Sequence, residues 1–226
     1  LSVMRHSAAH IMARAVMRLY PKVGLAFGPT LPTGFYYDFA REDPFTPDDL
    51  VQIEARMREI VKRNEPLVRE VWPRDKAVAY FEAQGEKYKA ELIRGFPAGE
   101  DITVYRQGEF TDLCRGPHVP DTRYMDARAV RIMRSSAAYW LGDQKNESMQ
   151  RVYGTAWPTK EALKGYLTML EEAERRDHRR LGVDLDLGAG AGDHPERGDV
   201  GGKAGSRRRR DVVRLEDAGA DHRPYT

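Results

Sequence analysis

Two short patterns set far apart constrain this chain more than any other feature. One is His6-Ser7-Ala8-Ala9-His10 near the start; the other is Asp112-Leu113-Cys114-Arg115-Gly116-Pro117-His118. Each places two proton-transfer or metal-binding side chains at i and i+4, which on a helix brings them within about 5–6 Å of one another. Any fold in which both patterns serve one purpose must bring the first helix and a remote segment around a common hollow. With residues 4–19 helical, Met4, Ala8, Ile11, Met12, Ala15 and Leu19 fall on one apolar arc. His6 and His10 then lie nearly opposite, beside Ala9, Ala13 and Met17, and Arg14 and Arg18 occupy a separate polar strip. Histidines off the main apolar arc, on a surface of small residues, point to a cleft. The imidazole pair itself is open to a structural or a functional reading, because the group serves as ligand and as proton shuttle.

The chain of 226 residues, 41% hydrophobic and 32% charged, is long enough for one sizeable core or two small ones. No apolar run approaches membrane-spanning length and no signal peptide is visible. One cysteine excludes an internal disulfide framework and fits a reducing, cytoplasmic setting. A net charge of +2 leaves any RNA contact to local basic patches. Membranes and DNA are not expected partners. Because the chain starts at Leu1 and reaches a helix within a few residues, it reads as an internal piece of a longer polypeptide.

After the first helix, Gly28-Pro29-Thr30-Leu31-Pro32-Thr33-Gly34 is turn-rich, and Phe35-Tyr36-Tyr37-Asp38-Phe39 has the aromatic content of a strand. Thr46-Pro47-Asp48-Asp49 supplies an N-cap, a proline at N1 and acids in the first turn, predicting a helix to about Lys62. Residues 67–72 read as extended, and 74–83 and 86–94 as helical. Strand-like runs follow at 102–106, 128–134, 137–141 and 149–156, and a further helix runs from Thr159 to Leu181. The fold class is therefore α+β: an antiparallel sheet with helices packed on one side. The expected organisation is a domain over 1–157, a linker helix over 158–187 and a Gly/Arg-rich tail over 188–226. That tail is too poor in large apolar residues to offset its ordering entropy, so disorder is expected there. Arg207 to Arg210 could touch phosphate, but neighbouring acids leave little net attraction.

With these parts in place, residues 4–187 resemble the editing region of threonyl-tRNA synthetases, a domain type also seen in alanyl-tRNA synthetases. The resemblance rests on Arg5-His6-Ser7, Ala9-His10, Gly28-Pro29, Gly34-Phe35-Tyr36-Tyr37-Asp38, Tyr88-Lys89, Glu91, Asp112 through His118, Gln150-Arg151, Tyr153-Gly154-Thr155 and Arg176-Asp177-His178-Arg179 in that order. The order favours the threonyl branch. What the resemblance implies is hydrolysis of mischarged seryl-tRNA(Thr) at its 3′-terminal aminoacyl ester. Serine is threonine less a methyl, and a synthetic pocket discriminates such a pair by only about 1–3 kcal/mol, so a second site is needed. The implied partner is the acceptor end of tRNA(Thr), and family members continue into a class II catalytic core.

An aminoacyl ester is already activated. Its hydrolysis needs a placed water, a proton acceptor and donors for the developing oxyanion. On the resemblance, His6, His10, Cys114 and His118 surround that water and the ribose hydroxyl. Lys89 holds a water or the carbonyl oxygen, Asp112 pairs with the substrate ammonium, and Tyr37 lines the pocket. Without the resemblance, Lys89 in a charged helix reads as solvent-exposed, Asp112 as a turn residue, Tyr37 as an ordinary strand aromatic and Cys114 as an inert structural thiol.

The competing chemistry is metal binding. His6, His10, Cys114 and His118 are four ligands of the kinds zinc prefers, and alanyl-type domains use a similar set. No cofactor is favoured here, because a closed four-ligand site leaves no position for water, but zinc at this cluster stays open. The chain departs from the family at Ala137-Ala138-Tyr139-Trp140-Leu141-Gly142-Asp143, where Gly-Ala-Tyr-Trp-Arg-Gly-Asp is usual. Leu141 there removes a possible phosphate contact. Nothing after Leu187 resembles the class II core, so aminoacylation is not expected of this chain. Two other readings remain: a non-catalytic tRNA-binding remnant and a zinc-stabilised structural domain.

Overall fold

A computed structural model describes the backbone of residues 1–189 and the side chains of residues 1–177. The expectations for the tail, including Arg207 to Arg210, lie outside the described residues from position 190 onward. One compact unit spans Leu1–Gly165, and a second begins at Tyr166. Its described part is the remainder of a helix over Lys160–Ala189.

In chain order the first unit contains α1 (Ser2–Leu19), β1 (Gly24–Leu25), β2 (Phe35–Ala40), α2 (Pro47–Val61), β3 (Val68–Trp72), α3 (Arg74–Ala83), α4 (Lys87–Gly95), β4 (Ile102–Gln107), β5 (Phe110–Leu113), β6 (Val130–Tyr139) and β7 (Ser148–Ala156). The helix over Lys160–Ala189 is α5. The Thr46 hydroxyl accepts from the Asp49 amide, and the Asp49 carboxylate accepts in return from the Thr46 amide, closing a capping box ahead of Pro47. Two otherwise orphaned donors are thereby satisfied, which fixes where α2 starts.

Among the described residues all pairing is antiparallel, as expected of the α+β class, but the strands form two sheets: β1-β2-β7-β6 and β3-β4-β5. The runs read as separate strands at 128–134 and 137–141 are one long β6 with an irregularity between Ile132 and Arg134. It ends in a single helical turn over Trp140–Gly142, where Leu141 adopts a left-handed conformation. Short β1 and β5 carry too few residues for a readable periodicity.

The two sheets explain what happens to α1. The helix packs on the face of β2 and β7 that carries Phe35, Tyr37, Phe39 and Val152, and its other side meets Phe110 of β5 and the rim of Tyr105 on β4. Ala8, Ala9, Ile11, Met12, Ala13, Ala15 and Val16 all lie out of solvent, so burial extends well beyond the predicted arc. Arg14 is correspondingly not on a polar strip. It is fully buried, with its guanidinium paired to Glu65 and Glu109, while Arg18 reaches Glu109 from the surface. A second core lies between α3, α4 and the opposite face of the three-stranded sheet, through Phe81, Ile93, Trp72, Ile102 and Val104. Strand alternation thus gives β5 two faces: Leu113 enters this second core, and Asp112 points to α1.

Candidate active site

α1 supplies His6, Ser7 and His10 from its first turns, and the segment leaving β5 supplies Cys114 and His118. That segment is anchored at Cys114, whose amide donates to the Thr103 carbonyl at 3.1 Å and whose carbonyl accepts from Thr103 Oγ1 at 2.6 Å. It then turns at Gly116, which has φ +79°, and any Cβ there would overlap the Tyr105 hydroxyl. Only glycine fits both demands. The turn returns His118 to α1, where the Val119 amide donates to Ser7 Oγ at 3.0 Å. One ligating atom from each of His6, His10, Cys114 and His118 lies within 4.8 Å of the others. The structure therefore brings together all four residues from the two remote patterns.

Hydrogen-bond bookkeeping sets the tautomers. Ser7 Oγ donates its proton to the Val3 carbonyl at 3.0 Å, so at 3.1 Å from His118 Nδ1 it accepts. His6 Nδ1 donates to the Pro117 carbonyl at 3.2 Å, and His10 Nδ1 faces Asp112 Oδ2 at 3.1 Å. Each ring thus spends its Nδ1 proton on an oxygen and keeps an electron pair on Nε2. Two of those nitrogens, on His6 and His118, lie 3.3 and 3.2 Å from Cys114 Sγ, which also accepts from the Gly116 amide at 3.2 Å. A thiol has one proton and cannot serve both. The hollow is therefore rich in lone pairs and short of protons.

Burial reinforces that state. Desolvation pushes the His6, His10 and His118 imidazoles below their ordinary range, strongly for His10 and His118, where neighbouring imidazoles add to it, and less for His6, where the Pro117 carbonyl and Asp112 oppose it. Desolvation pushes the Cys114 thiol up to about 12. At neutral pH the rings are uncharged bases and the sulfur is a thiol.

Asp112 connects this cluster to a second group. Its Oδ2 accepts from the Tyr37 hydroxyl at 2.9 Å, and its Oδ1 lies 2.5 Å from Lys89 Nζ, which also donates to Tyr37 Oη at 2.8 Å. Lys89 is 1% exposed, contrary to the bland surface reading of its helix, because α4 turns it inward beneath β2 and β5. A lone buried ammonium is costly, and the carboxylate and phenol compensate it. Gly28 makes room for this arrangement: a Cβ at that position would overlap the Tyr37 ring and the Tyr36 carbonyl oxygen.

Sequence reasoning assigned no role to Ser7, Gly116, the Pro117 carbonyl or Glu86. Ser7 and Gly116 sat inside the quoted patterns, and their fixed place between the histidines and the thiol was the available signal. Glu86 carried none, because its partner Leu25 belongs to a distant strand.

Residues 102–153 match the family model described as the threonyl and alanyl tRNA synthetase second additional domain. Over 187 residues, 83% of this chain, it is 59% identical to a threonine–tRNA ligase of Rhodospirillum rubrum, covering 29% of that relative. Threonine–tRNA ligases of Rickettsia akari and Magnetococcus marinus match over the same length at 58% and 59% identity, with 29% and 28% of those proteins covered. The chain thus spans less than a third of the length of these curated relatives. The family model covers the stretch that contributes Asp112, Cys114 and His118, and the longer matches extend across most of the chain, so this chain carries a threonyl and alanyl tRNA synthetase second additional domain.

Proposed function

We propose that this chain is an editing module that hydrolyses the 3′-terminal aminoacyl ester of mischarged seryl-tRNA(Thr). The observation that carries the reading is the convergence of three neutral imidazoles on a proton-poor hollow, joined through Asp112 to a buried Lys89. A water in that hollow meets more acceptors than donors, so it is oriented to give up a proton as it attacks the ester. His6, half-buried and the least withdrawn of the three rings, is the base of choice. Lys89, with one N–H beyond those given to Asp112 and Tyr37, is held ready to stabilise the oxyanion, and Tyr37, whose hydroxyl proton goes to Asp112, lines the pocket and fixes Lys89 so that no reorganisation is needed during the reaction. Lys89, Tyr37 and His10 all meet the Asp112 carboxylate, so Asp112 holds these groups in place, and its remaining acceptor capacity suits the substrate ammonium.

The partner is the tRNA acceptor end, presented by a longer synthetase of the kind the relatives are named for. Deacylation of matched seryl- and threonyl-tRNA by the full chain tests the reading, with His6→Ala and Lys89→Ala alongside. A marked preference for seryl-tRNA, lost in both variants, supports it. Unchanged rates in the variants would end it, and absence of turnover with retained tRNA binding would leave a non-catalytic remnant.

The imidazole orientation favours a second reading. Each Nδ1 is held by an oxygen, as ring nitrogens are in metal centres, and the remaining donors with Cys114 Sγ are a set zinc accepts. His6, His10, Cys114 and His118 would hold the ion. Held by all four, it would be a closed site, supplying fold stability without an open position for water. One tightly bound zinc per purified chain, with a melting temperature that falls on chelation, would make this the correct reading.

A further inference from the structure

Among the described residues, a second hollow of about 300 Å³ reaches Lys89 and Asp112 but touches none of His6, His10, Cys114 or His118. Its walls include Met17, Leu25, Phe81 and Phe110, and Glu86 opens into it. Glu86 is the residue that precedes α4, one turn ahead of Lys89, and its Oε2 accepts from the Leu25 amide at 2.8 Å. Leu25 pairs with Phe39 in β2, the strand that carries Tyr37. One carboxylate therefore ties together the two elements whose side chains, Lys89 and Tyr37, must meet at 2.8 Å.

The charges in this hollow suggest more than a clamp. Glu86 is faced by Lys89 of its own helix, by Asp112 and Glu109 of β5 and the turn before it, and by the Tyr80 phenol of α3; the α1 and β1 contributions, Met17 and Leu25, bring no titratable side chain. Glu109 is already committed to Arg14 and Arg18. Lys89 and Asp112 cancel each other. Only with Glu86 ionised does the group behind His10 carry net negative charge, which favours the positive charge that develops on an imidazole as it takes the proton of the attacking water.

We propose that Glu86 is a positioning residue for the hydrolysis inferred above: its ionised carboxylate leaves the Lys89–Asp112 group behind the imidazoles with net negative charge that favours proton uptake at His6, and the reaction runs faster with Glu86 ionised than with it protonated. The inference rests on that functional reading. Burial pushes the Glu86 carboxyl up to about 7, with the Leu25 amide and Lys89 opposing and Asp112 adding, so the change falls where it can be measured.

The test is the pH profile of seryl-tRNA deacylation by the full chain and by Glu86→Gln. Glutamine keeps an oxygen for the Leu25 amide and mimics the protonated acid. Wild type is expected to gain about five-fold in rate through the Glu86 transition, and the glutamine variant to follow the slow branch without that step. Glu86→Asp, which restores the charge with a shorter reach, is expected to recover part of the step. Loss of the clamp alone would lower the rate without removing the step. An active wild type whose profile is unchanged by Glu86→Gln overturns this inference only; a wild type with no deacylation overturns the functional reading and this inference together.

Discussion

Lys89 Nζ and Asp112 Oδ1 lie 2.5 Å apart, with both side chains at most 2% exposed, and between them they join α4 to β5 and to the His10 imidazole of α1. Removing one charge of such a pair leaves the other uncompensated in a low-dielectric setting. Lys89→Met is expected to cost about 3–5 kcal/mol in urea unfolding, and the Lys89→Met/Asp112→Asn double variant distinctly less. Equal losses would mean that the pair is not coupled in the folded protein.

Arg14 and Arg18 both reach Glu109, but only Arg14 is shut away from water. Arg14→Ala takes the buried partner from Glu65 and Glu109 and leaves a void beside α1, for an expected loss of about 2–4 kcal/mol. Arg18→Ala acts at a screened surface and should cost less than about 1 kcal/mol. Chemical denaturation of the two variants checks the asymmetry.

Glu86 also predicts a pH dependence of stability. Its carboxyl is raised from 4.5 to about 7 in the folded protein, so the unfolded chain releases this proton first. The contribution is fully present below 4.5 and is lost as pH rises through 7. Glu86→Gln removes that loss. The variant is expected to gain on wild type by up to about 3 kcal/mol between acid and mildly alkaline conditions, less any solvent screening. Melting curves that stay parallel across this range would contradict the assignment.

Gly28 abuts the Tyr37 ring. Gly28→Ala must displace that ring from Lys89 and Asp112, and seryl-tRNA deacylation is expected to fall about 10–100-fold, with a stability cost of about 1–3 kcal/mol. Gly95→Ala, at a position where a Cβ meets nothing within 4 Å, is the control and should leave the rate unchanged.

The helices were legible because their signals are local. Thr46, Pro47 and Asp49 act on backbone groups within one turn of themselves, and the α2 start follows from them alone. The aromatic run of β2 and the span of α4 were readable for the same reason. The division into two sheets was not, because β5 is only Phe110–Leu113 and its partner is chosen by tertiary packing. At the site, residue types and spacing singled out His6, His10, Cys114 and His118, but their mutual approach depends on Ser7, Thr103 and Gly116 anchoring the later segment to α1 and β4.

The sequence by itself determined which residues are chemically capable and where most helices begin, since both depend on side-chain identity and near neighbours. Tertiary structure decided their electrical state. Lys89 became a buried cation, Arg14 an interior ion pair and three histidines neutral bases only because partners from distant segments closed around them and excluded water. Charge in a protein is set by what surrounds it, and a linear chain does not specify those surroundings until it has folded.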